Sequence, residues 1–122
     1  MYKEVNGIKI INVTPHPINF AVGDEVEIVP PSGVVINARP VEIKVGKHRS
    51  GAELVCTHFE ANYENSVKLD ALEETYPDAV IVGSIIAAQA FPVRVFAMIP
   101  APGFERVPPD QKRMRPDKFT VF

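Results

Sequence analysis

Residues 78–100, Asp78-Ala-Val-Ile-Val-Gly-Ser-Ile-Ile-Ala-Ala-Gln-Ala-Phe-Pro-Val-Arg-Val-Phe-Ala-Met-Ile-Pro100, form the longest nearly uninterrupted apolar stretch of the chain. Ala79 to Val82 are β-prone, Gly83-Ser84 break the run, Ile85 to Phe91 suit a short helix, Pro92 ends it, and Val93 to Ile99 return to β-prone residues. The order is strand, helix, strand. Polar residues do not alternate along either strand, so both are expected to be buried on two faces, as strands joined by a crossover helix are. The connection from Gly83 to Pro92 lies near the minimum of about 10 to 12 residues for a crossover, which makes a parallel pair tight but attainable. The expected fold is a small β-rich single domain over residues 1–122, α+β or α/β, with one short βαβ-like unit at residues 79–99.

Upstream of this unit, Ile8 to Val13 read as a strand, and Asn6-Gly7 before it favours a type I′ turn if the start of the chain folds back as a hairpin. Thr14-Pro-His-Pro17 ends that strand and presents His16 on a stiff, extended segment, because each proline also restricts the residue before it. Ile18, Phe20 and Val22 alternate with Asn19 and Ala21, which predicts a second strand closed by Gly23-Asp24. Val26 and Ile28 on one side of Pro30-Pro-Ser-Gly33, with Val34 and Ile36 on the other, predict a hairpin about that turn. Val41 to Val45 and Glu53 to Phe59 read as further strands on either side of a polar loop, Gly46 to Gly51. Between residues 61 and 70 only Val67 and Leu69 suggest a short strand, and Asp70 is placed to cap a brief helix that Pro77 stops.

Downstream, residues 100–118 hold a concentration of prolines and the cations Arg106, Lys112, Arg113, Arg115 and Lys118, and read as a proline-rich extended arm. Phe119 to Phe122 make a terminal strand too apolar to be left in water, so pairing with a sheet edge is expected. Twelve prolines in 122 residues remove many backbone donors and favour short strands and shaped loops over long helices.

The totals exclude several classes of protein. Hydrophobic residues at 46% and charged residues at 23% argue against wholesale disorder. A formal charge of −2 argues against a nucleic-acid coat, which relies on excess Lys and Arg. The apolar stretch is interrupted by Gly83, Ser84, Gln89, Pro92 and Arg94, which argues against a membrane span. One cysteine, Cys56, allows no internal disulfide and fits a reducing compartment, so a cytoplasmic setting is expected.

Cys56 and His58 stand two apart on one strand, and with His16 and His48 are the soft metal ligands available. C-x-H falls short of the three or four convergent ligands that zinc requires, so no metal site is expected and no cofactor is implied. Nothing orients His58 against Cys56 as a nucleophile pair, and no paired carboxylates or Ser-His-Asp order stand out. The reading leans away from an enzyme, and no catalytic residue is assigned. Ser84 sits at an N-cap position between strand and helix, where free amides attract anions, and Gly83 precedes it. In a parallel arrangement ligands gather beyond the carboxyl ends of strands, so Gly83-Ser84 and Pro100 to Gly103 are expected to share one rim. Arg94 and Arg39 interrupt apolar surroundings and either grip an anion or pair with a strand neighbour such as Glu42 or Glu53. The candidate ligand-binding set is His16, Arg39, Gly83, Ser84 and Arg94.

Asn12-Val-Thr-Pro-His-Pro-Ile18, Pro30-Pro-Ser-Gly33 and Ala79-Val-Ile-Val-Gly-Ser-Ile-Ile-Ala-Ala-Gln-Ala90, in that order, resemble a family of short, functionally uncharacterised proteins found in phages and bacterial genomes. That family pairs an N-terminal Leu-Thr-Pro-His-Pro with a Pro-Pro-Ser-Gly turn and a late Ile-Val-Ser-x-Ile-Val-Ala-x-Ala segment. This chain departs from it by inserting Gly83 before Ser84 and by carrying Val93-Arg-Val-Phe96 after the helix. The resemblance implies a phage or prophage setting, hence the host cytoplasm, and assigns no activity.

Two functional classes rank ahead of a third, an enzyme such as a hydrolase using His16. One is a phage-type binding protein for an anionic small molecule, such as a sequestered nucleotide derivative. The other is a structural or interaction protein whose residues 100–122 dock onto a second copy or a host protein.

Overall fold

The computed structural model describes residues 1–122. Nine strands and two α-helices run in the order β1 (Lys3–Val5), β2 (Ile8–Asn12), β3 (Ile18–Val22), β4 (Glu25–Val29), β5 (Arg39–Lys47), β6 (Glu53–Glu60), α1 (Tyr63–Thr75), β7 (Val80–Gly83), α2 (Ile85–Ala90), β8 (Phe96–Pro100) and β9 (Met114–Thr120). Seven of the strands form one sheet in the order β1-β2-β7-β8-β9-β3-β4, and β5 and β6 form a separate two-stranded ribbon. The molecule is thus a small β-rich domain.

The apolar stretch that anchors the reading of the sequence folds as expected. β7 and β8 are parallel, with Val82 opposite Phe96 and Gly83 opposite Ala97, and α2 crosses between them. β2 lies parallel to β7 on its other side. Burial on two faces follows from strict alternation: Ile11 and Ile81 point to a core shared with α1 and α2, whereas Ile10 and Val82 point to a second core with Phe20, Val29 and Val5. The sheet curls so that its first and last strands meet. Lys3 Nζ donates to the carbonyl of Ile28 at 2.7 Å and pairs with Glu27 at 3.3 Å, and the second core fills the interior of this nearly closed barrel.

The Asn6-Gly7 turn has φ of 51° and 83° and sets Val5 opposite Ile8, the mirror-image geometry that suits a two-residue hairpin. The next hairpin is formed by β3 and β4 about Gly23-Asp24, with Val22 opposite Glu25. This corrects the expected hairpin about Pro30 to Gly33. Pro30 and Pro31 have no amide hydrogen with which to extend β4, and Val34 to Ile36 form no strand. That segment instead crosses the end of β2, where the Ser32 amide donates to the Asn12 carbonyl (2.9 Å) and the Ile36 amide to the Val13 carbonyl (3.0 Å).

Three other boundaries differ from expectation. α1 begins at Tyr63, capped by Asn62, whose side chain accepts from the Asn65 amide at 2.7 Å; the expected short strand and the Asp70 cap are absent. Asn65, Leu69 and Leu72 are the residues the helix buries, a stripe too thin to stand out among polar neighbours. β8 starts at Phe96, because the amides of Arg94 and Val95 turn back to the Phe91 carbonyl and Val93 takes φ of 65°. The last strand is Met114–Thr120, not 119–122, and it lies inside this chain's own sheet between β8 and β3. Its pairing lapses between Met114 and Phe119, which leaves room for Pro116 where a ladder donor would otherwise be missing. The chain from Ala101 to Arg113, with a single 3-10 turn at Pro109–Gln111, is the connection between β8 and β9. No helix is long and apolar enough to cross a membrane.

Candidate functional site

Where β2 ends, Asn12 is fully buried, and its side-chain amide uses all four hydrogen-bonding positions. Its Nδ2 donates to the carbonyls of His16 (2.7 Å) and Val29 (3.2 Å), and its Oδ1 accepts from the Thr14 amide (2.9 Å) and the Thr14 hydroxyl (2.7 Å). Proline stiffness alone therefore does not place His16. The turn Thr14-Pro-His-Pro17 is pinned from beneath, and the imidazole stands exposed at its tip.

Beside this turn lies an open cleft of about 290 Å³. The turn and the first residues of β3, Ile18 and Asn19, form one wall. Ser84, Met98, Met114, Lys112 and Pro109 complete the lining. Ile18, Met98 and Met114 supply apolar surface, and Thr14, His16, Asn19 and Ser84 supply polar groups. Lys112 is the one Lys or Arg side chain in the lining, and no carboxylate lines the cleft. Lys112 has no ion-pair partner in the chain, whereas Arg115 of the same cationic segment is held by Asp117 at 3.0 Å.

The structure brings two of the five candidate ligand-binding residues, His16 and Ser84, to this cleft. Ser84 also caps α2, its hydroxyl oxygen accepting from the Ala87 amide at 3.1 Å. Gly83, its neighbour, is buried and serves packing: a Cβ there would stand 2.7 Å from Cγ1 of Val95 and 3.3 Å from Cγ2 of Val13. Arg94 lies away from the cleft in the turn before β8. There it forks onto α1, Nε to Glu73 and Nη2 to Asp70, both at 2.6 Å. Partial burial pulls its pKa down, but the hydrogen bonds and charges of Glu73 and Asp70 outweigh that and raise it above the ordinary value. Arg39 sits on the ribbon and pairs across it with Glu60 at 3.4 Å. Both arginines thus take the salt-bridge alternative, with partners other than Glu42 and Glu53.

The rim expected to join Ser84 with Pro100 to Gly103 divides in two. Ala101 and Pro102 line a different depression, with Asn6, Gly23 and the Arg115–Asp117 pair. Thr14, Asn19, Lys112 and the two methionines escaped the reading of the sequence as site residues. Lys112 alone carried a signal, its membership of the cationic cluster, and the fold of the β8–β9 connection selects it from that cluster. Cys56 and His58 are exposed on β6, opposite Ile43 and Val41, and His48 bonds Ser50 in the ribbon's turn, so these side chains do not converge with His16. No group of three or more His, Cys, Asp or Glu side chains is arranged to hold a metal ion.

Comparison with protein-family models, with curated proteins and with solved structures finds no match to this chain.

Proposed function

We propose that the protein binds a small anionic molecule in the cleft between the Thr14–Asn19 turn and Lys112. The observation that carries this reading is the polarity of the lining: an unpaired ammonium, an imidazole and several neutral donors converge on a space from which carboxylates are missing. At about 290 Å³ the cleft sits at the small end of ligand sites, which run from roughly 300 Å³ upward. A phosphate or carboxylate would meet Lys112 and His16, while an attached ring would lie on Ile18, Met98 and Met114.

A nucleotide derivative is the ligand class with both parts. In the phage setting that the resemblance implies, holding such a molecule would withdraw it from the host cytoplasm. Self-association or host-protein docking through residues 100–122 is the weaker reading, because β9 already pairs with β8 and β3 of its own chain.

Titration calorimetry with nucleoside monophosphates, and with inorganic phosphate as the minimal probe, tests the proposal. Binding should occur with the intact protein and weaken by about tenfold or more in Lys112→Ala, the loss typical of a charge-assisted hydrogen bond of roughly 1.5 to 3 kcal/mol. Absence of heat and of any rise in melting temperature across the nucleotide panel would overturn it.

A further inference from the structure

The β5–β6 ribbon stands apart from the barrel, and no third strand pairs with either of its members. β6 leans on α2 at its base, but most of both strands faces solvent: Ile43 is 50% and Val45 60% exposed. A two-stranded ribbon is marginal in water by itself, and an edge with bare amides and carbonyls invites another strand. What distinguishes this edge is its sequence. Val41-Glu42-Ile43-Lys44-Val45 reads the same in both directions, apart from an exchange of charge sign about Ile43.

We propose that two copies of the chain associate by antiparallel pairing of their β5 strands about a twofold axis at Ile43, joining the two ribbons into one four-stranded sheet. In this register Ile43 meets Ile43 and Glu42 of each copy lies opposite Lys44 of the other, while Val41 at each end faces Val45, the bulged residue of the opposing strand. Glu42 has no ion-pair partner within its own chain, and Lys44 has only the exposed Glu53, at 3.2 Å. Cross-copy pairing therefore supplies a counterion to the one charge of the segment that lacks it.

The alternatives are disfavoured by the same residues. A slip of one residue sets charged side chains against the apolar row, and slips of two set Glu42 against Glu42 or Lys44 against Lys44. Pro40 at one end and the bulge at Val45 at the other limit regular pairing to Glu42–Lys44. None of these residues lines the cleft, so the inference does not depend on the ligand.

Sedimentation velocity on the full chain at up to about 100 μM tests the pairing, a ceiling that would detect even weak association. The species expected has twice the 13.5 kDa mass of the chain. Glu42→Lys and Lys44→Glu should each raise the dissociation constant about tenfold, by putting like charges at both symmetric positions. The double variant E42K/K44E is again self-complementary and should recover the wild-type mass. Its circular dichroism and melting temperature, and those of the single variants, confirm that each is folded. A wild-type chain that stays monomeric throughout overturns the proposal. So do single variants that dimerise like the wild type, and so does a double variant that fails to recover.

Discussion

The Cβ that Gly83 lacks would lie 2.7 Å from Cγ1 of Val95, closer than carbon atoms pack. This approach lets β7 run directly into α2 while the chain from α2 doubles back against the same spot, which is how so brief a crossover closes. Gly83→Ala stiffens the unfolded chain, a gain of about 0.4 to 1 kcal/mol, but overpacks the core at a cost of about 1 to 3 kcal/mol. The second effect wins. Urea unfolding should show a net loss of stability, and adding Val95→Ala should recover less than the whole of it, because that change removes the clash and opens space elsewhere.

Arg94 ties the turn before β8 to Asp70 and Glu73 on α1, and its side chain is about one-third exposed. Water screens the pair, so the bridge is worth less than its short distances suggest. Arg94→Ala should lower stability by about 1 kcal/mol, the upper end for exposed pairs, because the guanidinium forks onto two carboxylates. Arg94→Lys should restore less than half, since an ammonium cannot reproduce the fork. Neither change should alter the nucleotide binding proposed for the cleft, because Arg94 does not line it. Chemical denaturation and calorimetry on the same two variants measure both effects.

How far the sequence discloses the fold depends on where each signal resides. The β7-α2-β8 unit is legible because its punctuation is local: Gly83-Ser84 and Pro92 interrupt an apolar run, and both flanks are β-prone. α1 is hidden because three buried residues, Asn65, Leu69 and Leu72, suffice to seat it, and one of them is polar. The hairpin about Pro30 to Gly33 misleads because its turn chemistry is sound, but Gly23-Asp24, equally sound, already pairs β4 with β3. β9 is masked by Pro116, which is tolerated only because pairing lapses there. For the site, His16 and Ser84 were legible as the ends of interrupted strands. Lys112, Arg39 and Arg94 were not separable from one another by sequence, because which cation keeps a free charge is decided by partners distant along the chain.

Asn12 is the residue on which the cleft wall rests. Removing its amide takes the Asn12 partner from the buried Val29 carbonyl and from the partly buried Thr14 amide, while the His16 carbonyl keeps the Thr14 hydroxyl at 2.9 Å. Asn12→Ala should therefore cost about 2 to 3 kcal/mol, within the range for unsatisfied buried polar groups. Asn12→Asp, of the same shape, should be no milder, because a carboxylate would face two carbonyl oxygens. At a temperature where either variant remains folded, ligand affinity should also fall although Lys112 is intact, as the Thr14–Pro17 turn loosens. Unchanged affinity in a folded Asn12 variant would separate the turn's support from the cleft's function.

Acid should destabilise the protein through two exposed aspartates. The hydrogen bond from Lys9 at 2.9 Å, helped by Asp78's own backbone amide and the lysine's charge, holds the Asp78 carboxyl below its ordinary value; the Arg115 guanidinium does the same for Asp117. A depressed native pKa means that the unfolded chain takes up the proton first as pH falls. The associated stability is present above about pH 3.9, where unfolded aspartate is ionised, and is lost as pH drops through the lower native values. Lys9 has the opposite sign: Asp78 raises its pKa, so its contribution is intact below about pH 10.4 and disappears only as pH climbs past that. Denaturation midpoints measured as a function of pH should therefore be insensitive to these pairs around neutrality and fall on the acid side. Asp78→Asn and Asp117→Asn should each flatten that acid limb while lowering the neutral plateau slightly. A limb equally steep in the double variant would assign acid sensitivity to other carboxylates.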